Sequence, residues 1–288
     1  MIHQNIKTLL RSLTNAKMRL RFRKAERHVK QFVMHAPVTT MDQMRDILKD
    51  LGLNKGDRII VSSSFGHINA NFKPSELISL LQEAVGEEGL IMMPYYPPMN
   101  STEWAAKQQQ FDMRNTKSGM GILTNVFSKM SGVYMSKHPT KAVCAWGKGA
   151  EEIVKDHDLA TTPFYWDSPY GRLLEMGSKS LGLGLKNIPI FHTFEDVLSA
   201  SPFDYYQEKS YSLHLIDKDG NNQLITTRVH NLSVLDRCLP AGDYVRALKC
   251  KSYKRINVGS AFVYIIDNND LYERCKVEFA KGHSRITN

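Results

Sequence analysis

Cysteine is scarce in this chain. The four thiols, Cys144, Cys238, Cys250 and Cys275, show no C-x-x-C spacing and no neighbouring histidine in a metal-ligand pattern. A disulfide framework and a zinc site are therefore not expected. Cys144 lies in the apolar run from Ala142 to Trp146, where a small buried hydrophobe is the expected role rather than a reactive thiol. Long apolar runs are missing too: Leu90 to Met93 and Ala261 to Ile266 fall far short of the roughly 20 residues that a membrane-spanning helix needs. Near the N-terminus Ile2, Ile6, Leu9, Leu10 and Leu13 are interrupted by Lys7 and Arg11, so the continuous apolar centre of a secretory signal is absent and the expected compartment is the cytoplasm.

Acidic side chains are also in short supply, 29 Asp and Glu against 38 Lys and Arg, for a net charge of +9. The excess is local. Residues 1–31 carry nine basic side chains against Glu26 alone, and the remainder is close to neutral. A basic tail on a neutral body points to a local anionic contact rather than a nucleic-acid-binding domain, and no nucleic-acid motif accompanies it. The helical spacing of its apolar residues predicts a basic amphipathic segment over residues 1–35. Its expected place is a membrane surface, a partner subunit or its own domain, which leaves peripheral membrane contact and a homo-oligomer open.

What is present is an apolar fraction of 42%, ample for a core, in an alternating α/β pattern over residues 36–288. Thr40 with Gln43 reads as a capping box, Met44, Ile47, Leu48 and Leu51 form one helical face, and Gly52 supplies the stop. Asp57 to Val61 reads as a buried strand, Pro74 opens a helix through Val85, and Leu90 to Met93 is a short strand ended by Pro94. Beyond an irregular region come helices near 121–130 and 150–155 and a strand near 142–146. Ser168 as N-cap with Pro169 opens another helix, and Ser180 to Leu185 is a strand. His192 to Ala200 reads as a helix. Ser210 to Ile216 and Gln223 to Val229, joined through Asp219-Gly220-Asn221, read as an antiparallel hairpin, and a last strand, Ile256 to Ile266, precedes a final helix. The expected class is mixed α/β: a largely parallel sheet sandwiched by helices, with an additional antiparallel hairpin region.

Several segments sit at spacings that match one enzyme family. They are Phe111-Asp112, Asn115-Thr116, Ser118-Gly119-Met120-Gly121 and Lys137-His138-Pro139, with Gly56 to Phe65 and Gly89 to Pro94 before them and Ser168-Pro169 and His192 to Glu195 after. In this order they resemble the antibiotic N-acetyltransferases, the family of the aminoglycoside 3-N-acetyltransferases, over roughly residues 40 to 270. The resemblance implies transfer of an acyl group from an acyl-coenzyme A to a sugar amine.

Ser62, Ser63 and Ser64 follow the first core strand, at the carboxyl end where α/β proteins hold ligands, and the resemblance places coenzyme A there; by residue type alone they equally suit an ordinary turn. Thr116, Ser118, Met120 and Gly121 run into a predicted helix start that favours an anion, and the resemblance sets this segment against the cofactor. Lys117 stands where the family has proline. His192 and Glu195, three apart on a helix, face the same side, so the carboxylate can orient the imidazole. The resemblance makes His192 the general base, with Asp196 as the second-ranked carboxylate. His138 suits substrate contact or loop orientation. Asp167 suits the acceptor amine or a helix cap, and His157 a structural role.

Two departures bear on the acceptor: Pro189 replaces an expected threonine and Met135 an expected arginine. Between residues 95 and 120 only Glu103 and Asp112 oppose Lys107, Arg114 and Lys117, whereas polycationic aminoglycosides call for acidic clefts. The expected acceptor is therefore a nucleotide-linked amino sugar of surface-polysaccharide synthesis, with aminoglycoside 3-N-acetylation (antibiotic resistance) as one alternative and a non-catalytic binding adaptor as another. No metal is expected.

Overall fold

The computed structural model describes residues 37–286, so the amphipathic segment expected over residues 1–35 lies outside the described residues. Helix α1 (Met41–Asp50) begins at the expected capping box: the Gln43 amide donates to Thr40 Oγ1 at 3.2 Å, and the Thr40 amide to Gln43 Oε1 at 2.9 Å. Strand β1 (Arg58–Ser63), helix α2 (Pro74–Val85) and strand β2 (Leu90–Tyr95) form the first β-α-β unit. Helix α3 (Ser101–Ala106), the short strand β3 (Phe111–Asp112), helix α4 (Ile122–Phe127) and strands β4 (Tyr134–Met135) and β5 (Ala142–Gly147) follow. Next are helices α5 (Ala150–Val154) and α6 (Pro169–Glu175), strand β6 (Lys179–Leu183) and helix α7 (Phe191–Leu198). The chain continues through β7 (Tyr206–Ile216), β8 (Asn222–His230), α8 (Leu232–Leu235) and α9 (Ala241–Ala247) to β9 (Lys254–Val258), β10 (Ala261–Asp267) and α10 (Asn268–Ala280).

Seven strands form one sheet in the order β4-β5-β2-β1-β6-β10-β9, and β3-β7-β8 form a second. The mixed α/β class stands as expected, but the parallel part is smaller. Within the seven-stranded sheet only the central β2-β1-β6 ladders are parallel, because β5 returns antiparallel beside β2 and the β9-β10 hairpin closes the other edge antiparallel to β6. Successive residues of β1 serve two cores: Ile59 and Val61 pack with α1 and α2, and Ile60 packs with the layer holding Phe164, Tyr170 and Phe194. Both faces of the central sheet are thus covered, which is why its strands read as continuous apolar runs.

Two boundaries differ from the sequence reading. Pro94 lies inside β2 rather than ending it, opposite Val143 of β5. Val143 turns its amide to Ser136 Oγ and its carbonyl to the Ser136 amide, so Pro94 occupies a position where β5 asks for no N–H. The expected single strand Ile256–Ile266 is a hairpin, turned at Gly259 with φ +56°, where a Cβ would come within 3.0 Å of the Ile68 carbonyl oxygen. Among the described residues no helix is long and apolar enough to cross a membrane.

One row across the sheet leads toward α7. Ser62, Gly182 and Tyr264 lie side by side in register on β1, β6 and β10. Ser62 Oγ donates to the Asn187 carbonyl at 3.0 Å and Tyr264 Oη donates to the same oxygen, which ties down the loop before α7. Gly182 makes room for the Tyr264 ring: a Cβ there would lie 1.8 Å from Cε1. Gly182→Ala is expected to destabilise the protein by about 1–3 kcal/mol through overpacking, read as a lower urea midpoint at unchanged slope; an unchanged midpoint would mean that the Tyr264 ring yields freely.

Candidate active site

Helix α7 begins one residue before His192, so the imidazole stands in the first turn and Glu195 one turn further along the same face. Glu195 is fully buried, while the His192 side chain keeps 26% of its surface exposed. His192 Nδ1 donates to Glu195 Oε2 at 2.7 Å. Since the carboxylate only accepts, this bond puts the ring hydrogen on Nδ1 and leaves Nε2 as a free lone pair.

The second carboxylate oxygen is also taken. Arg285 Nε donates to Glu195 Oε1 at 2.8 Å, its Nη2 donates to the same oxygen, and its Nη1 donates to the Leu239 carbonyl at 2.7 Å. Burial pushes the Glu195 carboxyl up, but the His192 hydrogen bond and the Arg285 charge outweigh it and hold the group below the usual carboxylate range. Burial pushes His192 below its ordinary value against the pull of Glu195. At neutral pH the site therefore holds an ionised Glu195 and a neutral imidazole, the state a general base requires.

Phe164 and His230 wall the imidazole, with ring centroids 4.9 and 4.7 Å from it, and they stack on each other at 5.5 Å with planes 2° apart. His230 is buried, its Nε2 has no hydrogen-bond partner, and burial pushes its pKa well down. The two imidazoles face a cavity of about 360 Å³ bounded by residues 96–101, by Gly119 and Met120, and by Thr140 and Lys141. No acidic side chain lines it.

The comparisons with known proteins converge on one family. The family model for aminoglycoside 3-N-acetyltransferase matches residues 60–279. The chain belongs to the aminoglycoside 3-N-acetyltransferase family. This is a family of N-acyltransferases. A relative in Bacillus subtilis strain 168, the SPbeta prophage-derived aminoglycoside N(3')-acetyltransferase-like protein YokD, is 31% identical over 163 residues; the match spans half of this chain and 60% of that protein. The sisomicin-bound structure of AAC-VIa superposes with a TM-score of 0.72 at 21% identity, covering 86% of this chain and all of that one. AAC-IIIb in its binary complex with CoASH gives 0.69 at 19% identity, over 88% of this chain and all of that one. The two superpositions show a shared fold.

Against that aminoglycoside 3-N-acetyltransferase fold, the residues singled out in the sequence divide into two sets. His192 and Glu195 come together as expected. The serine loop and the 116–121 segment are also adjacent, since a Cβ on Gly121 would lie 3.6 Å from the Ser63 carbonyl oxygen. Ser63 Oγ is buried without a hydrogen-bond partner, and of this segment Gly119 and Met120 line the cavity. Ser62 Oγ is occupied by Asn187, and the Ser64 amide extends the ladder to Leu183 at 2.8 Å. Thr116 Oγ1 accepts from the Asp112 amide at 2.9 Å, and Ser118 Oγ donates to the Tyr96 carbonyl at 3.1 Å and accepts from the Met120 amide at 3.0 Å. Those two hydroxyls build the loop.

Asp167 does not line the cavity: it accepts from Thr161 N at 2.9 Å and Thr161 Oγ1 at 2.7 Å, closing its own loop. His138 lies behind the cavity wall. Its Nδ1 accepts from the amides of Thr140 at 3.2 Å and Lys141 at 3.0 Å, which sets the turn carrying those two residues into the cavity. His157 is structural, held by Ser136 Oγ at 2.8 Å and the Pro163 carbonyl at 3.0 Å. Asp196 faces away from His192, toward Tyr206 Oη at 2.8 Å and Thr162 Oγ1. Burial pushes the Cys144 thiol well up, which removes it as a nucleophile. Arg285 and His230 were not singled out in the sequence. Among the described residues no group of His, Cys, Asp or Glu is arranged to hold a metal ion.

Asp196 supplies a pH signature. Burial raises its pKa well above the ordinary 3.8, so the folded protein keeps a proton that the unfolded chain releases. Stability from this group is full below the unfolded value and falls as pH rises toward the folded one, by at most about 1.4 kcal/mol per pH unit. Asp196→Asn should flatten that decline in urea titrations between pH 4 and 7; a decline as steep as in the wild type would place the proton elsewhere.

Proposed function

We propose that this protein transfers an acyl group from an acyl-coenzyme A, acetyl-CoA or a longer one, to the amine of an amino sugar by direct attack. The observation that carries the reading is the Arg285-Glu195-His192 chain, which ends in a neutral, partly exposed imidazole facing a cavity. An amine must lose a proton as it attacks a thioester, and a base in that state accepts it at Nε2. Glu195 stabilises the imidazolium that results. Coenzyme A supplies the activated acyl group, and the residues that fit it are Ser63 with the Gly119 to Gly121 turn. Cys144 is sealed in the core, Ser62 Oγ is engaged with the Asn187 carbonyl and Ser63 Oγ is buried, which supports transfer within a ternary complex rather than through an acyl-enzyme.

Family membership and the names of the relatives point to aminoglycosides as acceptors. A second reading, a nucleotide-linked amino sugar, is favoured by one feature of the cavity: its lining contains no carboxylate to meet a polycation and does contain Lys141.

Thiol release from acetyl-CoA, followed over a panel of aminoglycosides and nucleotide-linked amino sugars, tests both. Turnover with at least one amine is expected. His192→Ala should lower kcat by about 10²–10⁴-fold. In the wild type kcat should rise with pH through a value below 6.5 and then stay level, because burial depresses the base. Silence of the folded protein across the panel would overturn the reading in favour of a binding adaptor.

A further inference from the structure

Lys141 is the one ammonium lining this cavity, and nothing in the reaction just described uses it. Its side chain is half-buried, with Nζ 4.4 Å from the centroid of the Tyr96 ring and 5.9 Å from that of Phe164. Phe164 is also the ring 4.9 Å from His192, so the ammonium and the base share a wall. The backbone is fixed as well, by the Lys141 amide donating to buried His138.

Lys137 and Lys179, by contrast, have acidic partners, Asp217 at 3.2 Å and Asp57 at 2.6 Å. Among the described residues no carboxylate pairs with Lys141. The two carboxyls of α7 are committed, Glu195 to Arg285 and His192, Asp196 to Tyr206 and Thr162. Burial lowers the Lys141 pKa to about 8, the response of a cation that lacks a counter-charge, yet it remains largely protonated at pH 7. A polycation in this space would meet an unscreened like charge in a low-dielectric wall, whereas an anion would supply the missing partner. His230 lines the same space with an Nε2 that lacks a partner.

We propose that Lys141 is the specificity-determining residue of the site: its ammonium binds an anionic group, a carboxylate or phosphate, carried by the acceptor close to the reacting amine. This rests on the acyltransferase reading. The phosphates of coenzyme A are the other source of such an anion, but the length of the pantetheine arm separates them from the thioester. With the thioester at His192, they cannot also reach an ammonium that shares its wall.

Two measurements at pH 7 test the proposal. The first compares glucosamine, glucosamine 6-phosphate and an aminoglycoside as acceptors for the wild type, Lys141→Met and Lys141→Arg, with acetyl-CoA as donor. The wild type should favour the phosphorylated sugar over glucosamine by about 10-fold or more in kcat/KM. Lys141→Met should lose that preference through the acceptor KM with the acetyl-CoA KM unchanged, and Lys141→Arg should keep it. A preference that survives in Lys141→Met, or a loss confined to the acetyl-CoA KM, overturns the proposal. The second titrates glucosamine 6-phosphate calorimetrically into the CoASH-bound protein. Binding about 10-fold weaker in folded Lys141→Met supports the subsite whether or not turnover is found; equal binding overturns it. Loss of all turnover with this difference in binding retained would count against the acyltransferase reading alone.

Discussion

A fully buried carboxylate, Glu195, is the constraint on which the site depends. An ionised carboxyl out of water is tolerated only when both oxygens are met by strong donors, and removing one partner of such a pair typically costs about 3–5 kcal/mol. Here His192 takes one oxygen and Arg285 the other. Arg285 arrives from the segment beyond α10, which is held by the Leu239 amide on the Arg285 carbonyl at 2.8 Å and by Tyr244 Oη on the His283 carbonyl at 2.8 Å. The Arg285-Glu195-His192 chain is therefore assembled only when the segment beyond α10 has closed onto α9. The state of His192 and completion of the fold are coupled through a single side chain, Arg285.

Adjacent carboxyls on α7 end in opposite charge states at similar burial. Glu195 has a guanidinium and an imidazole N–H, which suffice to keep it ionised. Asp196 has only the hydroxyls of Tyr206 and Thr162, and hydroxyl donors do not offset its desolvation. Environments that push neighbouring titratable groups apart assign their roles, the first as orienter of a base and the second as a neutral bridge between α7 and β7. Asp196, ranked second in the sequence as an orienter of His192, is excluded from that role by where its side chain points.

Local chemistry was legible in the sequence. The Thr40 capping box, Pro74 and Pro169 at helix starts, the β7-β8 hairpin around Gly220 and the three-residue spacing of His192 and Glu195 all depend on residues within a turn of one another. The missed features depend on tertiary closure. Arg285 lies 90 residues from Glu195, and Phe164 and His230 meet His192 only because a loop and the end of β8 converge on one wall. The β9-β10 turn is hidden in the sequence because Ile256 and Val258 before Gly259-Ser260 and the apolar run from Ala261 after it read as one strand until the positive φ of Gly259 is known. Ser62, Thr116 and Ser118 show a different limit. A hydroxyl that builds a loop and one that holds a ligand are the same residue type, and only the count of partners already present separates them.

Charge shows the same limit more sharply. Glu103 and Asp112, counted in the sequence as the acidic side chains of the acceptor region, are spent on Lys107 and Arg114 at 2.7 and 3.1 Å and do not line the cavity. The balance along residues 95–120 is therefore nearly irrelevant to an incoming substrate. What a substrate meets is the residual after local pairing: an apolar and aromatic wall, two neutral imidazoles and one ammonium without a carboxylate. The His192-Glu195 pair sits on α7, while the turn after Pro139 sets the sign of the field beside it. In this chain the state of the His192 imidazole is set by the closure of the segment beyond α10 and the charge of the cavity lining by Lys141, so the two are carried by separate parts of the fold.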